Sequence, residues 1–67
     1  MSSLYLENSG VNLVVSKISA LSDVTADNDL GTHYVEVCCD GIQYQEHFHK
    51  QRDAVKFHDK VFNLMFP

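Results

Sequence analysis

Basic residues are scarce in this chain of 67 residues: five Lys and Arg stand against nine Asp and Glu, a formal net charge of -4. A protein that grips the nucleic-acid backbone in general needs the opposite sign, so direct nucleic-acid binding is not expected. Long apolar runs are missing too. None approaches the ~20 residues that span a bilayer, and the stretch from Met1 to Glu7 lacks the basic region and apolar core of a secretory signal. Cysteine is confined to the adjacent pair Cys38 and Cys39. Neighbours on a strand point to opposite faces, so a bond between them would demand a distorted ring. Secreted domains this small normally carry several bridges; two reduced thiols in a cytoplasmic protein are expected instead, one buried and one facing outward. Paired CxxC, HExxH and glycine-rich phosphate loops are absent, and the three glycines, Gly10, Gly31 and Gly41, fall in turns. No repeat, linker or low-complexity tract divides the chain.

What remains is ordinary globular composition, 45% hydrophobic and 21% charged. The length suits one small domain over residues 1–67, near the size at which a single core barely offsets chain entropy.

Thr32 to His49 reads as two strands around Asp40-Gly41, a strong short-range hairpin signal. A two-residue loop pairs Cys39 with Ile42, Val37 with Tyr44, Val35 with Glu46 and His33 with Phe48. That register puts a mostly apolar set on one face. The other face carries Thr32, Tyr34, Glu36, Cys38, Gln43, Gln45, His47 and His49 and is almost wholly polar, the separation a correct register produces.

A helix is predicted over Gln51 to Met65. Ala54, Phe57 or His58, Val61, Leu64 and Met65 recur at spacings of three and four, with Val55 and Phe62 widening the stripe. Pro67 lies just past its end, while neither His49 nor Lys50 is a good N-cap. A helix of this length needs the apolar face of the hairpin to be stable.

The first thirty residues are less marked. Val11 to Ile18 is rich in β-branched residues and reads as a strand, apolar on both faces and so central or covered on both sides. Leu4 to Glu7 suits a short partner strand, turning at Asn8-Ser9-Gly10. Ala20 to Gly31, rich in Ser, Asp and Asn, is open to two readings: a continuation of the second strand to about Val24 as a long hairpin arm, or a mobile acidic loop.

Charge is unevenly spread. Residues 1–49 hold seven acids and one base, Lys17; residues 50–67 hold Lys50, Arg52, Lys56 and Lys60 against Asp53 and Asp59. Arg52, Lys56 and Lys60 form a stripe at i, i+4 and i+8 that reads as the solvated face of an amphipathic helix. The acids, densest at Asp23, Asp27 and Asp29, read first as a solvated surface that keeps a small protein soluble, and in the alternative as a surface that meets a basic partner.

Chemistry-bearing groupings are few. His47 and His49 project from the polar face, with Glu36 diagonally across and Tyr34 opposite His47. Two imidazoles and a carboxylate suggest, as an alternative, a metal or small-ligand site of His47, His49 and Glu36. Asp27-Asn28-Asp29-Leu30-Gly31 is not a calcium loop, because its twelfth position is Cys38 on a strand. Enzymatic activity, a cofactor and membrane insertion are not expected. Protonating all four histidines would cancel the formal charge of -4.

The expected fold is therefore α+β: an antiparallel β-meander of three to four strands with one C-terminal α-helix on one face. The other face stays open, with Val14 and Ile18 adding apolar surface. The expected function is a small cytosolic protein–protein interaction module, an inhibitor or regulator of the anti-defence or antitoxin-like kind found in phages and mobile elements. Its expected contact residues are Asp23, Asp27, Asp29, Tyr34, Glu36, Gln45 and His47. A basic nucleic-acid-handling protein is the expected kind of partner, with homodimerisation an option.

Overall fold

A computed structural model describes residues 2–67 of the chain. The strands are β1 (Ser3–Leu6), β2 (Val11–Val14), β3 (Ile18–Leu21), β4 (Thr25–Asp27), β5 (Thr32–Cys39) and β6 (Ile42–Phe48). A 3-10 turn, Val15–Lys17, joins β2 to β3, and one helix, α1 (Gln51–Met65), follows β6. The architecture is α+β, with two antiparallel sheets and the helix packed on the larger one.

The β5–β6 hairpin has the expected register throughout, from Cys39↔Ile42 to His33↔Phe48. Asp40 and Gly41 both take positive φ, 54° and 78°, as a two-residue turn matched to strand twist requires. On the covered face Val35, Val37 and Cys39 are buried. Ile42, at the turn end of that face, stays 55% exposed.

The predicted strand from Val11 to Ile18 is in fact broken by the 3-10 turn. The break resolves its two-faced pattern. In a straight strand Val15 and Ile18, three apart, would point to opposite sides; the threefold period of a 3-10 turn brings i and i+3 together. Both are buried, beside Leu13. Ile18 thus belongs to the core and not to the open face, and Val14 is half-buried. The strand is not central either: β2 pairs with β1 in a two-stranded sheet of their own.

Of the two readings of Ala20 to Gly31, the hairpin arm is the one found, and it runs past Val24 to Asp27. β3 and β4 lie end to end along β5, antiparallel to it, opposite β6. Between them the ladder continues by a substitution: Ser22 N–H donates to the Glu36 carbonyl at 2.9 Å, and Glu36 N–H donates to the Ser22 hydroxyl at 2.8 Å. A side-chain oxygen stands in for a carbonyl, which is why Ser-rich sequence can carry a strand through a kink. Asp27 then accepts the N–H groups of Asp29 and Leu30, both at 3.1 Å, and so shapes the turn into β5.

The core lies between the β1–β2 hairpin, the covered face and the helix. Leu4, Leu6 and Leu13 meet Val15, Ile18, Val37, Cys39 and Val61. The helix has the predicted bounds and starts without a side-chain cap, as Lys50 foretold. Ala54 and Val61 are its buried positions, whereas Val55 and Phe62, predicted to widen its apolar face, are exposed. Among the described residues no helix is long and apolar enough to cross a membrane.

Candidate functional site

The open face is organised by strand pairing. Thr25, Tyr34 and His47 lie in one row across β4, β5 and β6; Glu36 and Gln45 form the next; Ala20, Cys38 and Gln43 the one after. Four of the expected contact residues, Tyr34, Glu36, Gln45 and His47, come together here.

Three of them, Glu36, Gln45 and His47, are joined with Thr32 by a directed chain of hydrogen bonds. Gln45 Nε2 donates to Glu36 Oε1 at 3.2 Å, which leaves Gln45 Oε1 as an acceptor only. His47 Nε2 lies 3.1 Å from that oxygen, so Nε2 carries the proton. In the neutral ring Nδ1 then accepts, and the Thr32 hydroxyl, 2.8 Å away, donates to it. Tyr34 lies against the His47 ring with centroids 5.1 Å apart and planes 30° from parallel. Sequence reasoning placed Thr32 on this face but left it out of the contact residues, since alternation gives the face and not the hydrogen bond to His47.

The acids expected beside them are divided. Asp27 is half-buried, and its carboxylate is engaged in the β4–β5 turn. Asp29 is exposed in that turn. Asp23, in the kink between β3 and β4, lines a groove against α1 together with Ser19, Leu21, His58 and Phe62. Only Glu36 is both acidic and part of the network.

The alternative metal site does not assemble. No group of three or more His, Cys, Asp or Glu among the described residues is placed to hold a metal ion. Both ring nitrogens of His47 are taken by Thr32 and Gln45, and His49 lies beyond the end of β6. Arg52, Lys56 and Lys60 are exposed on the helix, as a solvated stripe should be.

Glu46 is a feature the sequence signalled without its being read. Its register position, opposite Val35, faces the core, and it is only 3% exposed. Both carboxylate oxygens accept the Asn8 N–H, at 3.2 and 3.3 Å, and the Asn8 side-chain oxygen accepts the His47 N–H. The tip of the β1–β2 hairpin is thereby tied to the outer edge of β6. Burial pushes the Glu46 carboxyl above its ordinary value, against the opposing pull of hydrogen bonds from the Asn8 and Glu7 backbones.

No family model, curated protein or solved structure matches the chain.

Proposed function

We propose that this chain is a small cytosolic protein that acts by binding another protein, with the open face of its larger sheet as the contact surface. The partner it suits is basic, such as the nucleic-acid-handling machines that small inhibitors and antitoxin-like or anti-defence proteins of phages and mobile elements block. One observation carries the reading. The strands and turns of residues 18–49 contain not a single Lys or Arg; of their six carboxylates Glu36 lies on the open face and Glu46 is buried on the covered one, while α1 and its preceding residue hold four of the chain's five bases. The helix lies against the covered face, so four of the five bases lie on that side, and the open face carries Glu36 and no Lys or Arg.

Two further features support it. The network of Thr32, His47, Gln45 and Glu36 holds side chains that would otherwise lose rotamer freedom on binding, which lowers the entropic cost of contact. Tyr34 supplies an amphipathic ring among them, and aromatic residues are enriched at protein interfaces.

The test is affinity capture from native lysate with three proteins: wild type, the double variant Glu36→Lys/Gln45→Lys, and Lys56→Glu. The expected result is one near-stoichiometric basic partner, lost with the sheet variant, kept with the helix variant and released by salt. A partner that survives the sheet variant and is lost with Lys56→Glu refutes the assignment of the surface.

A further inference from the structure

Away from the open face, three rings line up along the C-terminal part of α1 and the residue that follows it. His58 stacks on Phe62 with centroids 6.2 Å apart and planes 18° from parallel, and Phe62 meets Phe66 at 5.0 Å. Phe62 and Phe66 are 47% and 61% exposed. The other large exposed apolar side chains are placed singly, at a strand face, a turn or the start of the helix, as ordinary surfaces allow. These two rings instead form one wall of a groove of about 450 Å³ whose opposite wall is β3 and the kink after it.

The β3 wall has its own chemistry. β3 pairs with β5 on one side only, and among the described residues no strand pairs with its other side. A free strand edge presents alternating N–H and C=O groups, which only another extended backbone satisfies in series. The outer edge of β6 differs, since Asn8 already accepts the His47 N–H there. β3 itself carries no Lys or Pro to guard its edge.

We propose that the groove between β3 and α1 binds an extended peptide segment of a partner protein, added as a further strand to β3. The segment carries a basic residue two positions before an apolar one. The spacing follows from alternation. Antiparallel to β3, a peptide residue beside Leu21 points its side chain toward Phe62 and Phe66, and the residue two earlier comes beside Asp23 at the groove's end. Charge selects the occupant. A Lys or Arg complements Asp23, whereas a second copy of this chain brings a net charge of -4 against -4. The groove is independent of the open sheet face, so the two surfaces succeed or fail separately.

The probe is a capped, labelled peptide of sequence Thr-Arg-Thr-Leu-Thr-Leu-Thr, titrated into ¹⁵N-labelled full chain. Expected are amide shifts over Ser19, Ala20 and Leu21 and saturable binding. Glu in place of Arg in the peptide, or Asp23→Lys in the protein, should weaken binding about five-fold, and combining the two should restore it. Phe62→Ser, at an exposed position that leaves the core intact, should weaken it about ten-fold or more. Ser22 N–H faces β5, so the backbone groups of Leu21 face the free edge and pair with the first Leu of the peptide; N-methylation of that Leu should abolish binding through loss of a backbone donor, and Glu36→Lys should leave it unchanged. Absence of shifts at β3 up to about 1 mM peptide overturns the proposal. So does binding indifferent to Asp23→Lys and Phe62→Ser, or a dimer on gel filtration that Phe62→Ser converts to monomer, since a second copy would then fill the groove.

Discussion

The buried carboxylate of Glu46 makes the sharpest demand on the energetics of this fold. It is 3% exposed, accepts backbone N–H groups from the tip of the first hairpin, and has its pKa raised, chiefly by burial. An acid whose folded pKa lies above the unfolded one holds its proton in the native state after the unfolded chain has released it. Its contribution to stability is therefore fully present below the ordinary value of 4.5 and is lost as pH rises through the folded pKa. Glu46→Gln removes that titration while keeping shape and one acceptor. At neutral pH its stability should lie within about 1 kcal/mol of wild type, because the loss of charge-assisted hydrogen bonds is offset by relief of desolvation. Glu46→Ala keeps neither. It strands the Asn8 N–H and leaves a void, which should cost about 1–3 kcal/mol. Each kcal/mol lowers the melting temperature of a domain this size by about 4–8 °C. The assay is urea unfolding followed by circular dichroism, repeated across the pH range above 4.5 for all three proteins. Wild type minus Glu46→Gln isolates the carboxyl, and that difference should decline as pH rises. A difference that grows with pH would falsify the account, since the hydrogen bonds would then outweigh burial and favour the charged form.

Two other outcomes follow from the backbone and the thiols. Gly41→Ala places a Cβ at φ 78°, where it meets no neighbouring atom but is strained by its own backbone; the expected loss is about 1–2 kcal/mol, read from thermal melts. Cys39 is buried and Cys38 half-buried on the opposite face, so a thiol reagent should modify Cys38 first in the native protein and Cys39 only on unfolding. Equal rates for the two thiols would contradict the register.

How far the sequence could be read depended on the period of its pattern. Between Thr32 and Met65 each element repeats cleanly, every second residue in the hairpin and every third or fourth in the helix, and register and bounds follow. Before Thr32 two local devices hide the pattern. The 3-10 turn at Val15–Lys17 shifts the phase so that Val15 and Ile18 share a side. At Ser22 a hydroxyl replaces a backbone carbonyl, so a run of loop-forming residues carries a strand. The open-face residues were visible because alternation alone places them. The groove was not, because it depends on how α1 lies across β3, a distance between segments some forty residues apart that no local pattern encodes. Glu46 is the intermediate case. Its place on the apolar face was plain from register, and a carboxylate there demands partners, but only the docked hairpin tip shows that Asn8 provides them.

The shared burial of Leu4 and Leu6 with Val61 has a consequence for the order in which the molecule is completed. The β5–β6 hairpin and α1 are built from contacts between near neighbours and can form as soon as they are made. The first hairpin is different: its leucines share a core with Val61, some fifty residues further along the chain. Until that long-range contact closes, Leu4, Leu6 and Leu13 remain an apolar patch on a partly folded chain. That interval, and not the finished protein, is when this chain is most exposed to aggregation. Changes that slow the arrival of α1 should lower the yield of soluble protein even where they leave the folded state as stable as before.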